Sequence, residues 1–398
     1  MAINPTPLLA RQPIINRAQE IVGYDLRLAP TGAAPSSLLQ LLGDGSGESF
    51  FARLPNRFVL ADDDQVDTAS PMAQLSGRLV LELDTAPKNG KPVMARQKRA
   101  KAAGYGVSLQ HAHRAEVPPE ALDMASYFCI DPGELNGELE ETCNRLRRHS
   151  AKHLAINVAS TEHFERSHRA GCDLFRGYFF TRPRLDQTQA ISPTYTTIVN
   201  VMKLAQENAP VSKIEDALKR DAALSFKLLR YINSAGFGLQ CEIESFRHAV
   251  AVLGYQNLYR WLALLMVTAA RQSTASALVT TAITRGRLAE LIGSGLFERQ
   301  EGDNLFIVGA FSLLDAILRA PLEQVAEQIP LSQAVLDALF RREGPYGPIL
   351  SIIEAIERFH DAEARADAIE IAGLLGLTTA ELNQAQLEAV IWAEGLGK

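Results

Sequence analysis

The chain has 398 residues, which is too long for a single ordinary hydrophobic core and predicts two or three domains. Its formal net charge of −6 argues against a protein that holds nucleic acid by bulk electrostatics. The four cysteines form no C-x-x-C pair, and no apolar stretch is long enough to span a bilayer. We therefore expect a soluble, cytoplasmic protein without a disulfide framework, a zinc knuckle or a membrane anchor.

The first part of the chain alternates short apolar runs with polar or helical stretches. Several runs are almost continuously apolar, which is typical of strands buried on both faces of a parallel sheet. Helical patterns between the later runs favour an α/β architecture, and eight strands permit a (β/α) barrel. The first two runs are too close for a crossover helix and predict an antiparallel hairpin. The predicted strands are 8–15, 20–28, 57–61, 78–83, 105–109, 126–130, 153–158 and 174–180.

The pattern changes near residues 186–193, and after Pro193 only helical signals follow. We place the domain boundary there, with an α/β domain in residues 1–188 and an all-α domain in residues 189–398. Ser245 is a predicted N-cap, and Gly254 is a predicted helix stop. Thr378 begins a predicted capping box.

Three stretches of the first domain resemble EAL domains, the family of cyclic di-GMP phosphodiesterases. They are ARQPIINRAQEIVGYDLRL at residues 10–28, LVLELD at 79–84 and GCDLFRGYFFTRP at 171–183. The opening and closing stretches together are fairly specific, and they are most similar to the divergent EAL domains that are fused to HDOD domains. The resemblance implies a TIM-like (β/α) barrel over residues 8–186.

The resemblance also implies a site at the carboxyl ends of the strands, where carboxylates and an Asn hold two divalent cations. It places Asp25, Glu82 and Asp131 at three ligand positions. The other positions have lost the residues that the family uses. We therefore predict a degenerate barrel without metal and without phosphodiesterase activity, in which these three carboxylates are vestigial. The changed positions are Ala61, Gln110, His111, Cys129, Ile156 and Ala159.

Residues 191–267 resemble the HDOD domain, a relative of the HD hydrolases. The matching stretches are 219–224, 228–235 and 248–254. An HD hydrolase needs several His ligands and an adjacent His-Asp pair. Here Leu314 precedes Asp315, His360-Asp361 is isolated, and His248 is the other histidine of this half. We predict neither metal nor hydrolysis in this domain.

Three polar residues are candidate ligand or partner contacts. Arg176 stands beside Gly177-Tyr178, where it could meet a nucleotide phosphate or pair with a neighbouring acid. Asn233 and Ser234 follow a predicted helix, where such residues cap a turn or contact a partner.

Together these features predict a signal-transduction regulator that is not an enzyme, needs no cofactor and acts by protein–protein interaction in cyclic di-GMP-linked pathways. Its expected partners are other signalling proteins, and a homodimer is compatible with the resemblance. Membranes and nucleic acid are not expected partners. Two alternatives stay open. The barrel could bind cyclic di-GMP without cutting it, or it could retain Mg²⁺- or Mn²⁺-dependent phosphodiesterase activity.

Overall fold

The computed structural model describes residues 6–29, 38–43, 50–54, 56–64, 66, 78–88, 91–114, 116–135, 137–182, 193–219, 245–269, 275–297, 299–358 and 361–396. The chain divides into two compact units, Met1–Phe180 and Thr181–Lys398. The predicted boundary between residues 188 and 189 lies in residues 183–192, outside the described ranges, and stays a prediction.

The first unit contains a closed barrel of eight strands in chain order, which confirms the predicted barrel. Strand β1 is antiparallel to both neighbours, β2 and β8, and all other pairs are parallel. The predicted antiparallel hairpin is therefore also confirmed. The strands are β1 (Leu9–Asn16), β2 (Ile21–Leu28), β3 (Phe58–Asp62), β4 (Leu79–Asp84), β5 (Gly106–Gln110), β6 (Tyr127–Ile130), β7 (Lys152–Ala155) and β8 (Leu174–Arg176).

The last strand, β8, is shorter than predicted. It ends at Arg176, so the prediction of a strand over 174–180 was too long. The reason is Gly177, whose φ of +144° leaves the strand and brings its Cα against the backbone of Val158. A 3₁₀ turn, Phe179–Thr181, then follows.

Helices follow several of the strands. The helices of this unit are α1 (Leu38–Gly43), α2 (Phe50–Arg53), α3 (Val93–Ala102), α4 (Pro119–Asp123), α5 (Leu139–Leu146) and α6 (Thr161–Arg169).

The described residues of the second unit form helices, as predicted. Ser245 accepts a hydrogen bond from the His248 amide, and Gly254 breaks the helical backbone of α9 with a φ of +76°. Thr378 forms the predicted capping box with Glu381. The helices are α7 (Pro193–Gln206), α8 (Val211–Lys219), α9 (Phe246–Ala269), α10 (Ser276–Gly293), α11 (Arg299–Phe311), α12 (Leu314–Leu318), α13 (Leu322–Ala326), α14 (Gln333–Arg341), α15 (Gly347–Glu357), α16 (Ala362–Leu374) and α17 (Thr379–Gly395).

Helices α10 and α11 approach each other at glycines. A Cβ added at Gly309 would lie 2.7 Å from the Gly286 amide nitrogen, and one added at Gly286 would lie 2.8 Å from the Phe306 ring. The two helices therefore touch backbone to backbone, which only glycine permits. In the described part of the chain, no helix is both long and apolar enough to cross a membrane.

Candidate functional site

The inside of the barrel is filled in layers. One buried apolar cluster includes Leu60 of β3, Val80 of β4 and Leu174 of β8. Because side chains on a strand alternate between its two faces, the residue two positions further on points to the same side. On β4 and β8 those residues are Glu82 and Arg176, so a charged layer lies next to the apolar one, towards the carboxyl ends of these strands.

The charged layer is a closed network of two arginines and three carboxylates. Arg27 contacts Asp25 through Nε at 2.6 Å and also forms ion pairs with Asp62 and Glu82. Arg176 contacts Asp25 at 2.9 Å and Glu82 at 3.2 Å through Nη1. Asp25, Glu82 and Arg176 are almost completely buried, at 1%, 2% and 3% exposure. Each buried carboxylate therefore has two guanidinium partners, which offsets the cost of removing these charges from water.

Cys129 extends this network on its far side. Its thiol donates to Glu82 Oε1 at 2.8 Å, and its Sγ lies 3.1 Å from the Ser108 hydroxyl oxygen. Burial and the neighbouring Glu82 carboxylate raise the pKa of Cys129 well above its ordinary value. The thiol thus remains protonated and acts as a hydrogen-bond donor, not as a nucleophile.

The network also shifts the pKa values of its charged members. Burial alone would raise the pKa of Glu82, but Arg176, Arg27 and the Cys129 thiol together hold it well below the usual value of 4.5. Burial opposes the charge of Arg27, yet Asp25, Glu82 and Asp62 raise the pKa of that guanidinium. The Glu82 carboxylate and the Arg27 guanidinium are therefore both charged at neutral pH.

The depressed pKa of Glu82 predicts a loss of barrel stability in acid. A carboxyl whose pKa is lower in the folded than in the unfolded chain stabilises the fold above its unfolded value, here about 4.5, and this stabilisation fades as the pH falls further. We expect the protection factors of the β4 amides, which correct for the pH dependence of intrinsic exchange, to fall from about pH 5 to about pH 3. The Glu82→Gln variant should lose part of this pH dependence, whereas Glu138→Gln at the exposed start of α5 should keep it. Equal pH dependence in all three proteins would contradict the assignment.

The family resemblance implies two divalent cations at this layer, and the described residues do not fit them. The oxygens of Asp25 and Glu82 that such ions would need are bound to Arg27 and Arg176. No group of three or more His, Cys, Asp or Glu side chains suited to a metal ion occurs among the described residues. A cation would first have to displace an arginine from a buried ion pair.

Asp131, the third predicted ligand position, lies outside the network. It follows β6 and is partly exposed. Its two oxygens accept hydrogen bonds from the Gly133 amide at 2.7 Å and from the Asn157 side chain at 2.6 Å. It therefore shapes a loop, and the structure brings together only Asp25 and Glu82 of the predicted three.

His111, which replaces a carboxylate in the resemblance, lies on the loop after β5 with a φ of +54°. Its Nδ1 is 3.3 Å from Asp84, and its ring centroid is 6.3 Å from that of His113. The two histidines thus face each other edge to face and do not converge on one point.

Of the predicted ligand or partner contacts, only Arg176 is described, and its guanidinium pairs with acids of the same barrel. Asn233 and Ser234 lie in residues 220–244, outside the described ranges. His360 lies in residues 359–360, which are also outside them. The roles predicted for these residues stay predictions.

The helical unit contains its own buried ion pair near Asp315. Arg285 of α10 binds Glu357 of α15 through two hydrogen bonds of 3.0 and 2.5 Å, and donates a third to the Ser312 hydroxyl at 2.8 Å. Asp315 accepts the Ala316 amide at 2.7 Å, and burial raises the pKa of its carboxyl. This arrangement joins α10 to α15 and to the turn that follows α11.

Sequence reasoning missed Arg27 and Asp62 as members of the barrel network. A signal for Arg27 was available, because in a strand the residue two positions after Asp25 lies on the same face. A cation and an anion at that spacing in a buried strand indicate an internal ion pair. Asp62 follows Ala61 at the end of β3, and its place beside Arg27 depends on strand register.

The comparisons with known proteins agree with this two-part architecture. Residues 190–329 match the model of the HDOD domain. The chain contains an HDOD domain. Over its length it is similar to the cyclic di-GMP phosphodiesterase CdgJ of Vibrio cholerae, with 24% identity over 99% of this chain and 94% of the relative. It is equally similar to the uncharacterized protein YuxH of Bacillus subtilis, with 24% identity over 98% of each chain. The predicted EAL–HDOD organisation is confirmed.

Among solved structures, the chain is similar to the PaMucR phosphodiesterase in complex with cyclic di-GMP. The match has 17% identity and a TM-score of 0.33, and it covers 45% of this chain and 92% of that one.

One prediction is corrected by these comparisons. The chain was predicted not to be an enzyme, but the relative CdgJ, aligned over 99% of the EAL–HDOD chain, is named a cyclic di-GMP phosphodiesterase. The prediction rested on counting ligand residues against the family pattern. Such a count assumes that every active barrel uses the same set of metal ligands. It does not measure the activity of a related barrel that has a different set.

Proposed function

We propose that this EAL–HDOD chain is a cytoplasmic signal-transduction regulator in cyclic di-GMP-linked pathways and that it acts by binding other proteins. The similarity to CdgJ supports the pathway. The observation that carries the mode of action is the exposed apolar surface of the helical unit. Leu374, at the end of α16, is 80% exposed, and Ile369 of the same helix is 42% exposed. Covering an apolar side chain as exposed as Leu374 with a partner is favourable, because it removes apolar surface from water.

The proposal is tested with the tagged full-length chain in two steps. Proteins enriched over a tag-only control are first identified in cells that express the chain. Each candidate is then purified and titrated against the purified chain. We expect at least one candidate to bind saturably, with a Kd of about 1 μM or tighter. If no enriched candidate binds after purification, protein–protein interaction is rejected as the mode of action.

A second candidate function is recognition of cyclic di-GMP by the barrel, and the name of the relative CdgJ favours it. The guanidinium groups of Arg27 and Arg176 are suited to phosphate, but a phosphodiester would have to compete with Asp25 and Glu82 for them. Binding would therefore require these ion pairs to rearrange.

Calorimetry decides this second function. The full-length chain is titrated with cyclic di-GMP in the presence of Mg²⁺ and then of Mn²⁺, and the same samples are assayed for linear dinucleotide. Saturable micromolar heat that Arg176→Met abolishes, in a variant whose barrel is still folded by hydrogen exchange, would establish recognition at the barrel. Linear product that Glu82→Gln abolishes would establish turnover there. No heat and no product would reject cyclic di-GMP as a ligand of the barrel.

A further inference from the structure

The end of the helical unit has an unusual charge distribution. The segment 361–396 contains seven carboxylates and one basic residue, Arg365, so its formal net charge equals the −6 of the whole chain. In the described structure, none of Asp367, Glu370 and Glu388 takes part in an ion pair with a basic side chain. The seven carboxylates are Asp361, Glu363, Asp367, Glu370, Glu381, Glu388 and Glu394.

An open groove lies in the same region, between the end of α10 and the first turns of α17. Its volume is about 310 Å³. Its apolar lining comes from Leu291, Ile292, Leu377, Leu382 and Ala385. At the rim, Gly295 has open space where a Cβ would be, so no side chain fills the groove at that point.

The rim of the groove is acidic, and the exposed Leu374 at the end of α16 lies close to it in sequence. Glu381 and Glu388 stand one above the other on α17. The capping-box hydrogen bonds from Thr378 lower the pKa of Glu381, which keeps this carboxylate ionised. Leu374 lies three residues before Leu377 of the groove. We call this surface, made of the groove residues with Leu374, the acidic groove.

We infer that the acidic groove docks an amphipathic helix of a partner protein, with apolar anchors on one face and Lys or Arg beside them. This inference rests on the proposed function. A groove between helices takes a helix with anchors at i, i+3, i+4 and i+7. The carboxylates on the rim complement basic residues that flank those anchors, which speeds association and selects the partner. The same charge disfavours anionic membranes and nucleic acid as occupants.

The test uses a synthetic helical peptide of about 18 residues, with Leu at the anchor spacing and Lys elsewhere, and a matched peptide with Glu in place of Lys. Fluorescence anisotropy measures their binding to the full-length chain. We expect the Lys peptide to bind and the Glu peptide not to bind. Leu374→Ser and Glu388→Lys should each weaken binding about tenfold. The affinity should also fall between about 50 and about 300 mM salt.

Matched controls separate docking from adhesion to any acidic surface. Phe340 of α14 is 38% exposed and Glu327 is exposed, and both lie outside the acidic groove. Phe340→Ser and Glu327→Lys should leave binding within about twofold. A photoreactive residue in place of Gln384, inside the groove, should cross-link the Lys peptide, whereas one in place of exposed Gln324 should not.

Three outcomes would overturn the inference. Control variants could weaken binding as much as groove variants do, the peptide could cross-link at position 324, or the chain could self-associate through the groove in sedimentation. A purified cellular partner that binds the Leu374→Ser and Glu388→Lys variants unchanged would reject the acidic groove and leave the proposed function intact. Absence of any such partner would reject the proposed function itself.

Discussion

Replacing Arg176 by Met should destabilise the barrel by about 3–5 kcal/mol, the cost of removing one partner from a buried ion pair. Asp25 and Glu82 are buried, and each relies on Arg176 as one of its two cationic partners. Without Arg176, the two negative charges of Asp25 and Glu82 share the single positive charge of Arg27. Both tryptophans, Trp261 and Trp392, lie in the helical unit, so fluorescence does not report on the barrel. Hydrogen exchange of β2, β4 and β8 is the appropriate measurement.

A control and a double variant make this result specific. Arg169 ends α6 of the same unit and is exposed, so Arg169→Met should change stability by no more than about 0.5 kcal/mol. Adding Glu82→Gln to Arg176→Met removes one of the stranded charges, and the double variant should be more stable than the sum of the two single effects by about 1–3 kcal/mol. A loss for Arg176→Met no larger than that for Arg169→Met would contradict the network.

The second large effect concerns the contact between α10 and α11. Gly309→Ala should destabilise the helical unit by about 3 kcal/mol, because its methyl group has to enter the space of the Arg285 and Gly286 backbone. The two helices would have to separate, and this shift would also disturb the Arg285–Glu357 ion pair. Urea unfolding followed by tryptophan fluorescence measures the loss directly, since Trp261 and Trp392 belong to this unit.

Gly302 is the matched control on the same helix. A Cβ at Gly302 meets nothing within 4 Å, so Gly302→Ala adds a methyl group without a clash. Alanine also has the higher helix propensity, and we expect a gain of about 0.5 kcal/mol. Opposite signs for the two substitutions would identify close packing as the cause. If both substitutions had the same sign, glycine flexibility and not the interhelical contact would explain the effect.

The barrel was predictable because its strands are buried on both faces and therefore appear in the sequence as short apolar runs. The boundaries were less exact: the predicted strand 57–61 differs from the observed β3, Phe58–Asp62, by one residue at each end. Asp62 looks like the start of a loop in the sequence, but its side chain lies against Arg27. The end of β8 was missed for the opposite reason. Apolar Phe179 and Phe180 continue the pattern after the backbone has turned at Gly177.

The candidate site was predictable only in part, because it depends on pairs of residues from distant strands. The family pattern located Asp25 and Glu82, and it drew attention to Arg176. Nothing in one sequence indicates that Arg176 bridges the two carboxylates, since β8 reaches β2 only through the closure of the barrel by β1. The acidic groove likewise combines the end of α10 with α17, and their proximity is a property of the folded unit.

The position of β1 has a consequence for synthesis of the chain. Its residues Ile14–Asn16 pair with residues 174–176, about 160 residues later. At the usual speed of translation, about 5–20 residues per second, the first strand waits roughly 10–30 s for this partner. During that time the nascent sheet has two unpaired edges, which are templates for wrong pairing. Faster synthesis would therefore shorten the interval in which these edges are exposed to wrong pairing.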